Sequence, residues 1–94
     1  MDPFHNIFKA NSLPGGWSTA DVESENIKNV SEWIIATQFG NQPPYSIVYA
    51  EKQVVAGMNY KLVLAITIAD KREMWEFIVY DHFGKYSLTS SKIL

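Results

Sequence analysis

The chain has 94 residues, 47% of them hydrophobic and 14% aromatic, which suits one folded domain with a small core. Eight basic against ten acidic residues leave a net charge of −2, so the electrostatic footprint of a nucleic-acid or anionic-membrane binder is missing and a protein partner fits better. With no cysteine, disulfides, thiolate nucleophiles and thiolate metal sites are excluded, and packing alone must hold the fold. The longest apolar run, Leu62 to Ala69, already contains Thr67 and is far too short to span a bilayer, so no membrane is expected as a partner. No signal-peptide pattern opens the chain, which leaves its compartment open, cytoplasmic or secreted.

Residues 1–12, MDPFHNIFKANS, show no sustained period and read as a loose arm before a domain spanning 13–94. In LPGGWS, Pro14 pushes Leu13 toward an extended conformation, while Gly15 and Gly16 leave the backbone bare and free to bend. Ser18 followed by Asp21 resembles an N-cap with an acidic first turn, and the spacing predicts a helix over Thr19 to Gln38. On a wheel, Val22, Ile27, Val30, Trp33 and Ile34 share one face. FGNQPPY ends the helix, with Gly40 suited to a left-handed cap and Pro43-Pro44 unable to continue it.

From Tyr45 the period becomes two. Tyr45 to Lys52 reads as a strand, and Met58, Tyr60, Leu62, Leu64, Ile66 and Ile68 line one face of the next, with Asn59, Lys61 and Thr67 opposite. ADKRE is a polar reversal, Met74 to Tyr80 a third strand, DHFGK a glycine-containing turn, and Tyr86 to Ile93 a last strand. The sheet has one apolar face, and the helix is the element available to cover it. The expected fold class is α+β, one α-helix packed across a four- to five-stranded antiparallel sheet. Between the first two strands lies QVVAG, where two valines occupy a reversal that ordinarily recruits Gly, Pro, Asn, Asp or Ser.

QVVAG matches a Gln-x-Val-x-Gly loop, LPGGW a glycine-bearing N-terminal trunk, and VAGMNYKLVL the strand that follows the loop. In these three features, over most of residues 13–94, the chain resembles the cystatin family of inhibitors of papain-like cysteine proteases. The resemblance implies that trunk, first hairpin loop and second hairpin loop line up as an apolar wedge filling the protease cleft. Carried over residue by residue, it assigns protease contact to Leu13, Pro14, Gly15 and Gly16, to Gln53, Val54, Val55, Ala56 and Gly57, and to His82 and Phe83. The chain departs from the pattern in the second hairpin, where many members place Pro-Trp and this one has His82-Phe83.

Blander readings stand beside these. The Val54-Val55 segment also reads as an ordinary hairpin packing on its neighbours, Gly15-Gly16 as a hinge, Phe83 as a turn residue folded back on Tyr80 or Tyr86, and His82 as a solvated side chain. Trp33 belongs to the core, and Trp17 more to structure than to recognition. No catalytic or metal-binding set is apparent, since the two histidines, His5 and His82, stand far apart without acid and nucleophile partners, and no cofactor is implied. The expected function is reversible, tight-binding, competitive inhibition of papain-like cysteine proteases by a monomer. The alternative is a cystatin-fold binding module without inhibitory activity. A strained valine loop also predicts a domain-swapped dimer in which the first two long strands fuse.

Overall fold

A computed structural model describes residues 16–94. Along the chain run β1 (Trp17–Thr19), α1 (Glu25–Gln38), β2 (Tyr45–Val55), β3 (Gly57–Ile68), β4 (Lys71–His82) and β5 (Lys85–Ile93). The five strands form one antiparallel sheet in chain order.

The helix begins later than its sequence suggests. Trp17, Ser18 and Thr19 pair with Gln53, Lys52 and Glu51, so the segment expected to open the helix instead adds a strand to the sheet. Ladder bonds to β2 outweigh the local N-cap signal of Ser18, whose hydroxyl lies 3.4 Å from the Lys52 carbonyl. The N-cap is Ser24: its Oγ accepts from the Ile27 N–H at 3.4 Å and donates to the Asp21 carbonyl at 2.8 Å, while Asp21 Oδ1 accepts from the Glu23 N–H. Such a cap is worth about 1 kcal/mol. At the far end Phe39, in extended conformation, closes the helix by donating to the Ile35 carbonyl. The left-handed residue that follows is Gln42, with φ 48°, and not Gly40.

Ile27, Val30, Ser31 and Ile34 recur at helical spacing and are buried against the sheet together with Ile35. Trp33 sits at the rim with its ring edge-on to Tyr86, and Val22 packs on the core from the loop before the helix. Ser31 is satisfied by the Lys28 carbonyl and the Tyr45 hydroxyl, so its burial carries no penalty.

Opposite the helix lie Ala50 of β2, Tyr60, Leu62, Leu64 and Ile66 of β3, and Phe77 and Val79 of β4. Met58 and Ile68, at the ends of the predicted stripe, are only partly covered because the helix is shorter than the strand. Two register shifts, between Ile47 and Tyr49 and between Ile78 and Val79, mark bulges that add twist and let the sheet curl around one helix. The β3–β4 reversal needs only Ala69 and Asp70, both left-handed, so β4 starts at Lys71 rather than Met74.

The face away from the helix holds an unexpected group. Glu51, 2% exposed, accepts from the Tyr49 hydroxyl at 2.6 Å and pairs with Lys61 at 3.5 Å, and the Lys61 ammonium lies 4.8 Å from the centre of the Trp17 ring. A buried carboxylate is tolerable only with such partners. Through Trp17 the cluster also fastens β1, a strand too short to hold by ladder bonds alone.

Tyr49, Tyr60 and Tyr86 all have hydroxyls pushed above the ordinary tyrosine value near 10, in each case chiefly by burial; the carboxylates of Glu51 near Tyr49 and of Asp81 near the other two add to it. Below pH 10 both folded and unfolded chains keep these protons. Above it the unfolded chain ionises first, so unfolding is favoured and stability falls as pH rises toward the native values. The expected slope is at most about 1.4 kcal/mol per pH unit for each tyrosine, read from urea midpoints between pH 8 and 11. A stability flat to pH 11 would contradict it.

Candidate functional site

The β2–β3 hairpin is as tight as a hairpin can be. Val55 is level with Gly57, Val54 with Met58 and Gln53 with Asn59, leaving Ala56 by itself at the tip. Gln53 Oε1 accepts from Asn59 Nδ2 at 2.9 Å, which ties the two strands just before the reversal. Gly57 makes the turn with φ 105°, a region that side chains rarely adopt, and a Cβ added there would lie 2.5 Å from the Asp81 carbonyl oxygen. Glycine is therefore required twice, for the bend and for the approach of β4. Val54 and Val55 face outward at 67% and 41% exposure instead of packing on neighbouring strands as an ordinary hairpin reading expects.

The second hairpin lies alongside. Met58 pairs with Asp81 and His82 with Lys85, so the Phe83-Gly84 turn comes off the sheet at the same end as Ala56. Asp81 Oδ1 accepts from the Gly84 N–H at 2.7 Å and shapes the turn. Phe83 has φ 51° and is 82% exposed, its ring edge-on to His82 at 5.0 Å. It does not fold back on Tyr80 or Tyr86. A bulky residue in the left-handed region is costly, and at this exposure Phe83 gains little packing in return beyond its edge contact with His82. Phe83→Gly is expected to raise stability by about 1 kcal/mol in chemical denaturation while weakening any binding that uses the ring.

A third segment approaches from β1. Trp17 is level with Gln53 and the strands run oppositely, so Gly16 continues toward Val54. Leu13, Pro14 and Gly15 lie outside the described residues. Gly16, the Gln53–Gly57 loop and the His82-Phe83 turn are thus gathered at one end of the sheet, at the start of β1 and on two hairpins.

Tyr80 and Asp81, to which the sequence pattern assigns no role here, complete this end. The Tyr80 hydroxyl donates to the Ala56 carbonyl and lies 3.1 Å from His82 Nδ1. His82 is exposed yet engaged, more than the solvated side chain its position suggests. No local signal announces a contact between residues 24 apart; the alternation that puts Tyr80 and His82 on one face was the only hint. Among the described residues no group of three or more histidine or acidic side chains is placed to hold a metal ion.

One helix laid across a five-stranded meander, with hairpin tips and the first strand meeting at one end, defines a cystatin-like fold. It matches the crystal structure of a salivary cystatin from the soft tick Ornithodoros moubata with a TM-score of 0.65 and 21% identity, over 87% of this chain and 99% of that one. Sequence relatives agree: mialostatin of Ixodes ricinus is 33% identical over 60 residues, 60% of this chain and 43% of that protein. Cystatin-2 of Ornithodoros moubata is 35% identical over 60 residues, 60% of this chain and 47% of that protein. A putative cysteine proteinase inhibitor of rice is 27% identical over 73 residues, 71% of this chain and 62% of that protein. The chain is thus similar to members of the cystatin family in sequence and has a cystatin-like fold. It spans about half the length of the curated relatives it matches. No protein-family model matches it.

Proposed function

We propose that the protein is a reversible, tight-binding inhibitor of papain-like cysteine proteases that competes with substrate and carries out no chemistry of its own. The wedge is formed by Leu13 to Gly16, the Gln53–Gly57 loop and the His82-Phe83 turn, in a domain of residues 13–94 behind an arm of 1–12. The observation that carries this reading is the exposure of Val54, Val55 and Phe83 together at one end of the sheet. Apolar side chains held out on tight, partly strained turns cost stability and solubility unless a partner buries them. Burying each is worth roughly 1.5–3 kcal/mol. Turns built on ladder bonds lose little freedom on docking, so less of that gain is spent on ordering the loops.

Blockade of this kind needs only shape. Gly15 would let the backbone pass close to the catalytic thiol, and no peptide bond is presented to it for attack. The name of the rice relative, a putative cysteine proteinase inhibitor, supports the same target class. Titrating active papain with the intact chain tests the proposal: stoichiometric loss of activity is expected, recovered on dilution or displacement. The altered second hairpin favours a second reading, a cystatin-fold module that binds protein without inhibiting. No inhibition at micromolar concentration would select it.

A domain-swapped dimer is the assembly the first loop allows if Ala56 and Gly57 straighten, joining β2 to β3. Since straightening removes the wedge, the dimer fraction from gel filtration is expected to be inactive against papain, and a fully inhibitory dimer would refute the exchange.

A further inference from the structure

The two hairpins of the wedge are not independent. Among the described contacts, a side chain of β4 reaches the tip of the first loop: Tyr80 Oη donates to the carbonyl of Ala56, the lone residue between β2 and β3. The same oxygen is 3.1 Å from Nδ1 of His82, the last residue before the Phe83-Gly84 turn. Gly57 leaves the room for this: a Cβ there would come within 3.1 Å of Tyr80 Oη and 3.2 Å of its ring.

We propose that Tyr80 is a positioning residue that locks the first loop's tip to the base of the second hairpin, so that Val55 and Phe83 are presented at a fixed spacing. The inference rests on the inhibitor reading for its consequence but not for the tether itself. A tyrosine hydroxyl has one proton, and it goes to the Ala56 carbonyl; toward His82 the oxygen can only accept. His82 must therefore carry a proton on Nδ1, and the relay runs from His82 N–H to Tyr80 O–H to the Ala56 carbonyl. Ala56 and Gly57 have no side chain able to make such a bond, so without Tyr80 the tip is held by ladder bonds on one side alone. A preorganised pair of loops binds more tightly because less freedom is lost on docking.

Tyr80→Phe removes the hydroxyl and keeps the ring. It is expected to weaken papain inhibition about 10-fold, the effect of one lost fixing bond, and to speed amide hydrogen exchange at Ala56, Gly57 and Met58 selectively. Tyr45→Phe is the control, since its hydroxyl bonds Ser31 beneath the helix: it should cost similar stability yet leave inhibition and tip exchange unchanged. In the Val55→Ala background the effect of Tyr80→Phe on inhibition should shrink, because the tether acts through that side chain's placement. In the unmodified protein, nitrogen NMR should find the neutral His82 ring protonated at Nδ1. Unchanged inhibition and exchange in Tyr80→Phe, full additivity with Val55→Ala, or a neutral His82 protonated only at Nε2 would each overturn the proposal. Failure of the unmodified chain to inhibit papain would instead refute the inhibitor reading, while exchange and tautomer still decide the tether.

Discussion

Gly57→Ala is expected to lower stability by about 2–4 kcal/mol, more than the same change at Gly40 or Gly84. Two costs add. The backbone at φ 105° disfavours any Cβ, and that atom would meet the Asp81 carbonyl oxygen at 2.5 Å. The carbonyl is part of β4, whose Asp81 is paired with Met58, so relief requires shifting a ladder rather than swinging a side chain. Two other glycines separate the contributions. Gly84, at φ 96° with open space around it, carries only the conformational cost, about 1 kcal/mol on replacement by alanine. Gly40 carries neither, and alanine there is expected to be neutral or slightly stabilising. Urea denaturation of the three variants, with unchanged m values, checks the order. Equal costs at Gly57 and Gly84 would mean that β4 does not approach the loop so closely.

The combined change Val54→Asp and Val55→Asp is expected to reduce papain inhibition at least 100-fold while shifting the unfolding midpoint little. Both side chains are substantially exposed, so the folded state loses almost no packing, and exposed substitutions of this kind rarely exceed about 0.5 kcal/mol each. In the proposed complex the same positions are desolvated. The loss then combines roughly 1.5–3 kcal/mol of apolar burial per valine with the cost of stripping water from two carboxylates. Paired inhibition titrations and thermal melts read the two quantities separately. Inhibition within about threefold of the unmodified protein would remove the loop from the interface and with it the proposed wedge.

What can be read locally in this chain is what depends on period and on turn chemistry. The stripe Tyr60, Leu62, Leu64, Ile66 is an unbroken alternation, and it is the buried face of β3. Ile27, Val30 and Ile34 stand at helical spacing and form the covering face of the helix. Gly57 in QVVAG is the residue needed where the backbone reverses. The amino-acid order therefore determines the class of fold and the position of the exposed loop.

Other features depended on partners far away in the chain. Ser18 lost its capping role to a ladder with Lys52, and the helix moved to Ser24 because strand pairing at that distance supplies more than one local side-chain bond. Glu51 is charged and lies in an alternating strand, yet it is buried, since Lys61 and Tyr49 arrive from the neighbouring strand and from two residues upstream. The tie from Tyr80 to Ala56 exists only once β3 and β4 are in register. Period and propensity act over a few residues and are written in order along the chain; desolvation, pairing and close approach act through space, and only the folded sheet brings their participants together.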